Sequence, residues 1–518
     1  MVFLLSHRGR LRSPFPDYIA EWCSWQHAGF ICLRSMVQVH PLQPKIKVGG
    51  EPIAHNLFGR RKLTTHYQVI TDENVTDVLT SVLSDMGVNE SQIDLLYDYY
   101  RGKQQILQRT KDIRPEICNR AVENHALEIV SFKTGYIFGE PIQYVCRASD
   151  EGARESHGVA ELNERMYLAD KAYHDKKMAD WMFIAGCGYR FLKPDSTVPA
   201  GFHIDTLDPR YTAMVYTTAV GGAPVMSIQK KKDENDQILY WVYTPSKLYK
   251  FRDTMLEASF PNTAGFIPVF EYTPNEARLG AFEPVIDLLD ALNLAVNNRL
   301  DGVEQFVQAF FKGINIKIDE EIWDKLRAKG MMVFNSDPGN PADFDLVSSE
   351  LNQTQAQVLT DYIYQQILTV CDMPDRNGSN RTTGDTGQAV ILRDGWSAAE
   401  AYARSVTMNY EPSEKRFIDT VLRVLREENV DMGIETADVG IKIAPNMTDN
   451  MLTKTQALQN MLEAGIHPRI AIAHCKMFSD PEQVYLDSLP YLKRWETATE
   501  KEVSTPANNK PNPNESNV

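Results

Sequence analysis

Positively charged side chains are scarce in this chain. It has 54 Lys and Arg residues against 69 Asp and Glu residues, which gives a formal net charge of -15 and a pI near 5.3. A protein that binds nucleic acid tightly needs a basic face, because its cations must displace the counterions of the phosphates. The composition therefore argues against a strong nucleic-acid binder, but it allows a protein that lets nucleic acid pass.

Cysteine pairs and long apolar runs are absent as well. The seven cysteines are scattered and include no C-x-x-C pair, so we expect neither a structural zinc site nor a disulfide framework, and a reducing compartment is the default. No apolar stretch approaches the length of a membrane span. The N-terminus lacks the charged and apolar zones of a signal peptide in their required order. We predict a soluble protein that is not exported and binds neither metal nor membrane.

The common catalytic signatures are also missing. The sequence has no G-x-x-x-x-G-K-[ST] phosphate loop, no H-E-x-x-H and no G-x-S-x-G, and residues 186–188 lack the third glycine of a dinucleotide fingerprint. Residues 319–321, Asp343 and Asp345 could hold Mg²⁺ in a nuclease, but solvated helix starts and turns explain them more simply. His203, with aspartates nearby, is more simply an exposed strand residue. We expect no enzyme, no cofactor and no ATP-driven motor within this chain.

The chain is long enough to bury a large core. With 518 residues and 43% hydrophobic composition, it should divide into about three or four domains. Residues 1–35 show no periodicity, and either translation begins at Met36 or these residues form a flexible arm. Residues 497–518 are polar and contain several prolines, so we expect a disordered tail.

The first half of the chain changes from a helical period to a strand period near Gly186. Apolar spacing predicts a helix from Asp72, a second helix capped by Asn89, a third over Glu116–Lys133, and helical structure over residues 160–185. Alternating residues then predict strands at Tyr189–Leu192, Phe202–Ile204, Tyr211–Tyr216, Val225–Gln229, Ile238–Tyr243 and Phe266–Tyr272.

Two long helices follow, separated by a small insert that contains both helix and strand patterns. The first carries an apolar seam from Val285 to Phe310, and Arg299 is the only cation on its opposite face. That face includes Asp287, Asp290, Asn298, Asp301 and Glu304. Leu351–Cys371 carries a second apolar face, and a short insert predicts that the two helices run antiparallel. The fold class is therefore α+β.

A loop with no apolar side chain follows the second helix. Pro374 ends the helix, residues 375–385 include two glycines, and a helical pattern resumes over Thr386–Arg426 with a kink expected at Pro412. A loop that cannot anchor to a core, held between two firm helices, is typical of a contact site. Shorter helices are predicted at Thr453–Ala464, Pro468–Met477 and Pro481–Trp495.

Several short motifs occur in a characteristic order along the chain. They are Tyr99–Lys103, Asn119-Arg120, Thr134–Ile142, Ile267–Glu271, the long-helix residues Asn293, Asn298, Asp301 and Glu304, and the segment Leu351–Ala389. Together, over about Thr64 to Trp495, they resemble the portal proteins of tailed bacteriophages with long non-contractile tails. The resemblance implies a mainly helical portal fold and a homo-oligomeric ring, typically of twelve subunits, at one capsid vertex.

The same resemblance implies a function, a set of partners and a location. Double-stranded DNA would be packaged and later ejected through the ring. The partners would be the terminase large subunit, a head-tail adaptor, and the major capsid or scaffolding protein. The protein would lie in the virion, and in the host cytoplasm during assembly.

The resemblance also divides the chain into the parts of a portal subunit. These are a wing (36–280), stem helix 1 (281–311), a clip (312–350), stem helix 2 (351–373), a tunnel loop (374–386), a kinked helix returning to the wing (387–444) and a crown (445–496). The tunnel loop would present Arg376, Asn377, Ser379, Asn380, Arg381, Thr382 and Thr383 to DNA. The acidic face of the first stem helix would line the channel, and Lys317, Trp323, Lys325 and Arg327 would serve docking at the clip.

Electrostatics favour a conduit independently of this resemblance. DNA that slides should meet no deep electrostatic well, so a mostly acidic wall with few cations is suitable. Arg376 and Arg381 would offer donors to phosphate on a flexible backbone. Two alternatives stay open: a metal-dependent phage nucleic-acid enzyme, which needs converging carboxylates and cleavage with Mg²⁺, and another head-tail connector, although connectors are generally much shorter.

Overall fold

A computed structural model describes residues 59–112, 114–147, 153–307, 310–314, 343–347, 353–375, 395–428, 430–445, 451–475, 477–478 and 481–491. The chain divides into two compact units. One comprises residues 1–53 and 108–118, and the other comprises residues 54–107 and 119–518. In the described part of the first unit, Lys111 Nζ donates to the Ile117 carbonyl at 3.0 Å. All helices and sheets discussed below belong to the second unit.

Helices and strands alternate along the described residues. The helices are α1 (Val75–Tyr100), α2 (His125–Ile137), α3 (Ala153–Leu168), α4 (Lys171–Ala185), α5 (Ile286–Val307), α6 (Gln353–Val370), α7 (Trp396–Glu427), α8 (Met451–Glu463), α9 (Pro468–Cys475) and α10 (Pro481–Ser488). The strands are β1 (Leu63–Thr65), β2 (Gln143–Cys146), β3 (Gly188–Pro194), β4 (Phe202–Leu207), β5 (Thr212–Thr217), β6 (Pro224–Lys232), β7 (Ile238–Tyr243), β8 (Lys247–Arg252), β9 (Met255–Pro261), β10 (Val269–Tyr272), β11 (Phe310–Ile314), β12 (Asp343–Val347) and β13 (Val439–Lys442). This mixture confirms the predicted α+β class.

The largest sheet has six strands in the order β1-β5-β6-β7-β8-β9. Strands β5 to β9 form an antiparallel meander, and β1 pairs parallel with β5. Helix α1 packs on one face through Val78, Leu79 and Val82, which join Val215 and Phe251 in one core. A second sheet has the order β10-β3-β4, and a larger core packs α2, α4, α5, α6 and α7 around it.

Helix α1 corrects the predicted second helix at Asn89. The helix continues without a break through this residue. The Asn89 side chain instead accepts from the Arg61 backbone N–H at 2.8 Å and donates to the Arg61 carbonyl at 2.9 Å. An asparagine that has a cap signature in the sequence therefore fixes the chain segment entering β1.

The helix predicted over Glu116–Lys133 is also shorter than expected. Helix α2 begins at His125, where the Asn124 side chain accepts from the Leu127 N–H at 3.3 Å as an N-cap. The predicted helical region 160–185 is two helices, α3 and α4, separated at Asp170, whose φ of 51° is left-handed.

The six strands predicted after Gly186 are present as β3 to β7 and β10, although β10 begins at Val269 and not at Phe266, and β8, β9 and β13 were not predicted. Lysine and arginine interrupt the apolar pattern of β8, which hides its strand period. In the folded chain Lys250 lies 2.8 Å from Glu257 and Arg252 lies 2.9 Å from the same carboxylate on β9. These cross-strand ion pairs accommodate the charges on paired strands.

The two long helices α5 and α6 run antiparallel, as predicted. Arg299, late in α5, donates from Nη1 to Gln357 Oε1 early in α6 at 2.6 Å. At the other end, the Cys371 thiol beyond α6 lies 3.6 Å from the Ala281 carbonyl before α5. Helix α5 ends at Val307, so Phe310, predicted in its seam, instead begins β11, which pairs antiparallel with β12.

The remaining predicted helices are present, with different ends. Helix α7 contains Pro412 in its interior, and the kink expected there stays a prediction. Helices α8, α9 and α10 correspond to the three predicted C-terminal helices, but α9 ends at Cys475 and α10 at Ser488, before the predicted Met477 and Trp495. In the portion of the chain that the structure covers, every helix is too short or too polar to cross a bilayer.

Candidate channel face and its braces

The polar face of α5 is a stripe directed at another part of the same chain. Its members recur every three or four residues, so they lie on one side of the helix. They are Asp290, Asn293, Asn297, Asp301 and Glu304. Opposite them, residues 119–124 run without helix or strand pairing before α2 begins.

Alternate backbone N–H groups of this segment bond to side chains one helical turn apart. The N–H of Asn119 donates to Asp301 at 2.8 Å. The N–H of Ala121 donates to Asn297 at 2.7 Å, and that of Glu123 donates to Asn293 at 2.8 Å. Two residues of extended chain advance ~6.6 Å and four residues of helix advance ~6.0 Å. The spacings match closely enough for three successive bonds, and we call this set the α5 ladder.

Side-chain donors complete the ladder. Asn297 Nδ2 donates to the Ala121 carbonyl at 2.7 Å, so one buried asparagine satisfies both backbone groups of that residue. Asn119 Nδ2 donates to Asp301 at 2.9 Å and to Glu304 at 3.1 Å. Buried polar groups are costly unless they are hydrogen-bonded. The ladder therefore fixes residues 119–124 against α5.

Tyr99 of α1 contacts the first residue of the stripe, Asp290. Its hydroxyl lies 2.9 Å from both carboxylate oxygens of Asp290. Burial raises the pKa of Tyr99, and the charge of Asp290 raises it further. The phenol therefore remains a proton donor to this carboxylate at any physiological pH.

These contacts engage part of the predicted channel face, whose role in the ring stays a prediction. Asp301 is only 3% exposed, and Glu304 and Asp290 also accept hydrogen bonds from their own chain. Asp287 and Asn298 are exposed on the helix, and their channel-facing role stays a prediction. The regular spacing of the two buried asparagines was the available signal, but asparagine on a helix face usually indicates solvent.

An exposed apolar strip lies along the α5–α6 pair. Its members are between 42% and 63% exposed, and they are Leu300, Val303, Val358, Leu359 and Tyr362. Further along α6, Ile367 and Leu368 are buried. The apolar face predicted for the second helix is therefore buried within the subunit only near the C-terminal end of α6.

Helix α2 braces α6 through an aromatic and ionic contact. The His125 ring lies 4.8 Å from the Tyr364 ring, and its Nδ1 lies 2.7 Å from Glu128. Glu123 lies 3.4 Å from the other ring nitrogen, and the Tyr364 hydroxyl donates to Glu128 at 3.2 Å. Burial opposes the charge, but hydrogen bonds to the two carboxylates outweigh it and raise the pKa of His125 to about 9. His125 is therefore a cation at neutral pH.

Helix α6 ends in a defined C-terminal turn. The Met373 N–H donates to the Leu368 carbonyl at 2.9 Å and the Asp372 N–H to the Thr369 carbonyl at 3.3 Å. Asp372 has a φ of 51°, which is the left-handed position of a Schellman motif. The direction in which the chain leaves α6 is therefore fixed.

Helix α2 also contacts the start of α7. Phe132 and Tyr136 lie 6.1 and 6.0 Å from the Trp396 ring, and Lys133 Nζ lies 3.1 Å from the centre of the Tyr402 ring. Burial lowers the pKa of Lys133 to about 8, although Cys371 and Asp372 oppose this shift. One helix thus packs near both places where residues 376–394 join the described chain.

The predicted tunnel-loop and clip residues lie outside the described residues. These are Arg376, Asn377, Ser379, Asn380, Arg381, Thr382 and Thr383 in the loop, and Lys317, Trp323, Lys325 and Arg327 in the clip. Their roles remain those implied by the resemblance.

A buried ionic cluster joins α4, β3 and α7. Its charged members are at most 5% exposed, and they are Lys171, Asp175, Arg190 and Glu414. Arg190 donates to Glu414 at 2.7 Å and to Asp175, and the hydroxyls of Tyr144 and Tyr272 donate to Glu414 at 2.6 and 2.8 Å. Burial disfavours the Glu414 carboxylate, but Arg190 and Lys171 hold its pKa well below the usual value. No sequence motif indicated this cluster.

Within the residues that the structure describes, no group of three or more His, Cys, Asp or Glu side chains could hold a metal ion. His203, expected above to be an exposed strand residue, is exposed and pairs with Asp195 at 3.2 Å.

Comparison with known proteins places the chain in a family. The sequence profile described as "Phage portal protein, SPP1 Gp6-like" matches residues 86–504. No curated protein matches the chain. A chain in the structure "Virion of native gene transfer agent (GTA) particle" is 12% identical, with a TM-score of 0.39 over 70% of this chain and 88% of that chain. For "Neck of empty GTA particle computed with C6 symmetry" the identity is 12% and the TM-score 0.38, over 66% and 86% of the two chains. Because the profile extends over most of the sequence, the chain belongs to the phage portal protein family.

Proposed function

We propose that this chain assembles into a ring, typically of twelve subunits, which forms the channel for double-stranded DNA at one capsid vertex. The observation that carries the proposal is the apolar strip on the α5–α6 pair of a portal-family chain. Soluble monomers rarely expose contiguous apolar patches of this kind unless they serve an interface. In a ring, the strip of one subunit would be covered by its neighbours.

DNA would pass along the side of the ring on which Asp287 and Asn298 lie. A wall with few cations holds phosphates weakly, so packaging would not be slowed by tight binding. The terminase large subunit would supply the energy, because the chain has no phosphate-binding loop. It would dock at the clip, residues 312–350, and a head-tail adaptor would replace it later. The major capsid or scaffolding protein would surround the ring, first in the host cytoplasm and finally in the virion.

Charge placed on the strip should prevent ring formation without unfolding the subunit. We expect the double variant Leu359→Glu, Tyr362→Glu to remain unassembled, because each ring contact would bury a carboxylate. Both side chains are more than half exposed in the subunit, so folding should be unaffected. Light scattering gives the native mass, negative-stain images show the ring, and circular dichroism reports the fold.

Thr80→Glu with Ser84→Glu is the matched control, since both residues are exposed on α1, outside the strip, and the change in net charge is the same. It should assemble like the unmodified chain, which should form rings of about a dozen copies with a central hole. Intact rings from the double variant would contradict the proposed interface. An unassembled unmodified chain in the presence of scaffolding protein would contradict the ring itself.

The tunnel loop provides a second test, on DNA movement. Arg376→Glu with Arg381→Glu should leave ring assembly intact while impairing DNA packaging or retention, because the loop would then repel phosphate. The readout is DNA protected from nuclease in an in vitro motor assay. Lys231→Glu with Lys232→Glu on β6 makes the same change in net charge and should package normally. Unchanged packaging by the loop variant would remove the loop from the mechanism.

A further inference from the structure

A large cavity lies where the six-stranded sheet, β10 and α7 meet. Its volume is ≈ 480 Å³, which is within the range of about 300–1,000 Å³ that is usual for binding sites. One wall comes from β5 and the start of β6, and the opposite wall comes from residues 415–420 of α7. Most of the remaining lining is residues 265–267 and 269–271. Because consecutive residues contribute, the cavity follows an edge of this segment and not one face of it.

Strand β10 has a free edge beside this cavity. It pairs with β3, and its sheet has the order β10-β3-β4, so no described strand pairs with its other edge. The Leu192 N–H donates to the Pro268 carbonyl at 2.8 Å, so Pro268 faces β3. Backbone polar groups alternate in direction along an antiparallel strand. Those of Ile267, Val269 and Glu271 therefore point away from β3, and all three residues line the cavity.

A contact from α7 supports this orientation. The Ser413 hydroxyl donates to the Glu271 carbonyl at 2.7 Å, as expected for a carbonyl on the free edge. On that edge, Ile267 and Val269 have no strand partner among the described residues, although Val269 is only 2% exposed. Buried backbone groups are normally hydrogen-bonded. An extended peptide can pair with several such groups in succession, as in other proteins that add a strand to a sheet edge.

The two walls indicate which side chains such a peptide would carry. Side chains of an added strand alternate between the two faces of the sheet. On one face, Val269 packs with Met214 and Tyr216 in a common apolar core. On the other face, the Phe270 ring lies 5.5 Å from the Phe417 ring of α7. A strand added to β10 would therefore direct alternate side chains toward the apolar wall of β5 and toward α7.

Arg416 is the cation that α7 contributes to the exposed side of the cavity. Its guanidinium donates to a serine hydroxyl of its own helix at 3.1 Å and pairs with no carboxylate within the described residues. Neighbouring charges are engaged, because Lys415 pairs with Glu411 at 3.3 Å and Asp419 accepts from the Thr436 hydroxyl at 2.8 Å. A single carboxylate therefore fits this wall, whereas a long acidic run would also meet Asp419.

We propose that the cavity binds an extended segment of a partner protein, which pairs with β10 as a fourth strand of its sheet. The segment would place apolar side chains against Met214 and Tyr216 and an acidic side chain at Arg416. The inner carboxylate, Glu271, already accepts from Arg278 and from two tyrosine hydroxyls at 2.5 to 3.0 Å. A compact small molecule would leave the successive backbone groups of the edge unpaired. This site is separate from the apolar strip and from the tunnel loop, so it does not depend on the proposed channel.

The probe is a fluorescein-labelled peptide, SVEVEVS, in which valine and glutamate alternate. Fluorescence anisotropy with the full chain should show saturable binding with a Kd below about 1 mM, and hydrogen exchange should slow over residues 266–271. The peptide SVVVEES has the same composition without alternation and should bind at least about tenfold more weakly, because it cannot fill both walls while it pairs with β10.

Two N-methylated forms of the probe test the backbone pairing. One is methylated at its valines and the other at its glutamates. Because the N–H groups of a strand also alternate in direction, only one of the two forms loses the donors that face β10, and it should bind at least about tenfold more weakly than the other. Equal affinities of the two forms would show that the peptide does not add as a strand, and this overturns the proposal.

Arg416→Gln tests the acidic position. It removes a charge-assisted hydrogen bond, so the affinity for the probe should fall at least about tenfold. Arg404→Gln is the matched control, since Arg404 is exposed on the same helix, outside the cavity, and pairs with Glu400. It should leave the affinity unchanged. If Arg416→Gln fails to fold by circular dichroism, the two methylated forms with the unmodified chain decide the question.

Three further results would overturn the proposal. The first is an absence of saturable binding up to about 1 mM probe. The second is an unchanged affinity in folded Arg416→Gln. The third is binding to the unassembled subunit that is lost in assembled rings, because a neighbouring copy of this chain would then cover the edge in place of a partner protein.

Discussion

Glu414→Gln should lower the free energy of unfolding of the subunit by about 3–5 kcal/mol, the usual cost of removing one partner from a buried ion pair. The substitution keeps a similar shape but removes the negative charge. The cluster would then contain two cations, Arg190 and Lys171, and one carboxylate, Asp175. One positive charge would be left uncompensated in a region that excludes water. Chemical unfolding of the unassembled subunit, followed by circular dichroism, measures the change.

Glu411→Gln is the matched control because it lies on the same helix, one turn earlier. Its partner Lys415 is 3.3 Å away, and both side chains are at least one third exposed. Exposed i,i+4 pairs of this kind contribute about 0.3–0.5 kcal/mol. Similar losses in the two variants would show that the buried cluster has no special importance.

The same cluster should affect how the free energy of unfolding falls at acidic pH. The pKa of Glu414 is held below its ordinary value of 4.5 in the folded chain. A carboxyl with a depressed folded pKa contributes stability that is fully present above the unfolded pKa and is lost as pH falls toward the folded one. The difference between the unmodified chain and Glu414→Gln should therefore be largest near neutrality and shrink progressively below about pH 4.5. A difference that grows on acidification would contradict this assignment.

The sequence predicts elements whose physical signal is local. The strands after Gly186 and the antiparallel pair α5–α6 follow from periodicity and a short insert, and both are present. The buried cluster has no such signal, because Arg190 is one cation in a strand pattern and its partner Glu414 lies 224 residues away. A charged residue in a strand normally indicates solvent, and only the tertiary fold shows otherwise.

The polar face of α5 illustrates the same limit in more detail. Acidic and amide residues opposite an apolar seam are typical of a solvated face, so a channel wall was a reasonable prediction. The stripe instead holds residues 119–124, whose own sequence predicted a helix. The missed hydrogen-bonded stripe and the wrong helix prediction have one cause, because the α5 side chains and the backbone of residues 119–124 satisfy each other's polar groups. What remains for the proposed channel is a narrower surface around Asp287 and Asn298 on a helix stiffened along its other side.

Asn297→Ala should cost about 1–3 kcal/mol of unfolding free energy, the range for a polar group that loses its hydrogen-bond partner on burial. The substitution leaves both the N–H and the carbonyl of Ala121 without their present bonds of 2.7 Å. We expect faster hydrogen exchange over residues 119–124 as the direct sign that the ladder has opened. The measurement combines chemical unfolding with exchange mass spectrometry of the unassembled subunit.

Asn298→Ala tests the channel role of α5 separately from the α5 ladder, because Asn298 is adjacent to Asn297 but is exposed. It should change stability by less than about 0.5 kcal/mol, as most surface substitutions do, and leave exchange over residues 119–124 unaltered. If the exposed side of α5 lines the channel, this variant can change DNA packaging without changing stability, whereas Asn297→Ala acts on both through the fold. Equal destabilisation by the two variants would mean that the ladder does not hold residues 119–124 against α5. The exposed acidic and amide residues of α5 would then form one surface with a single role.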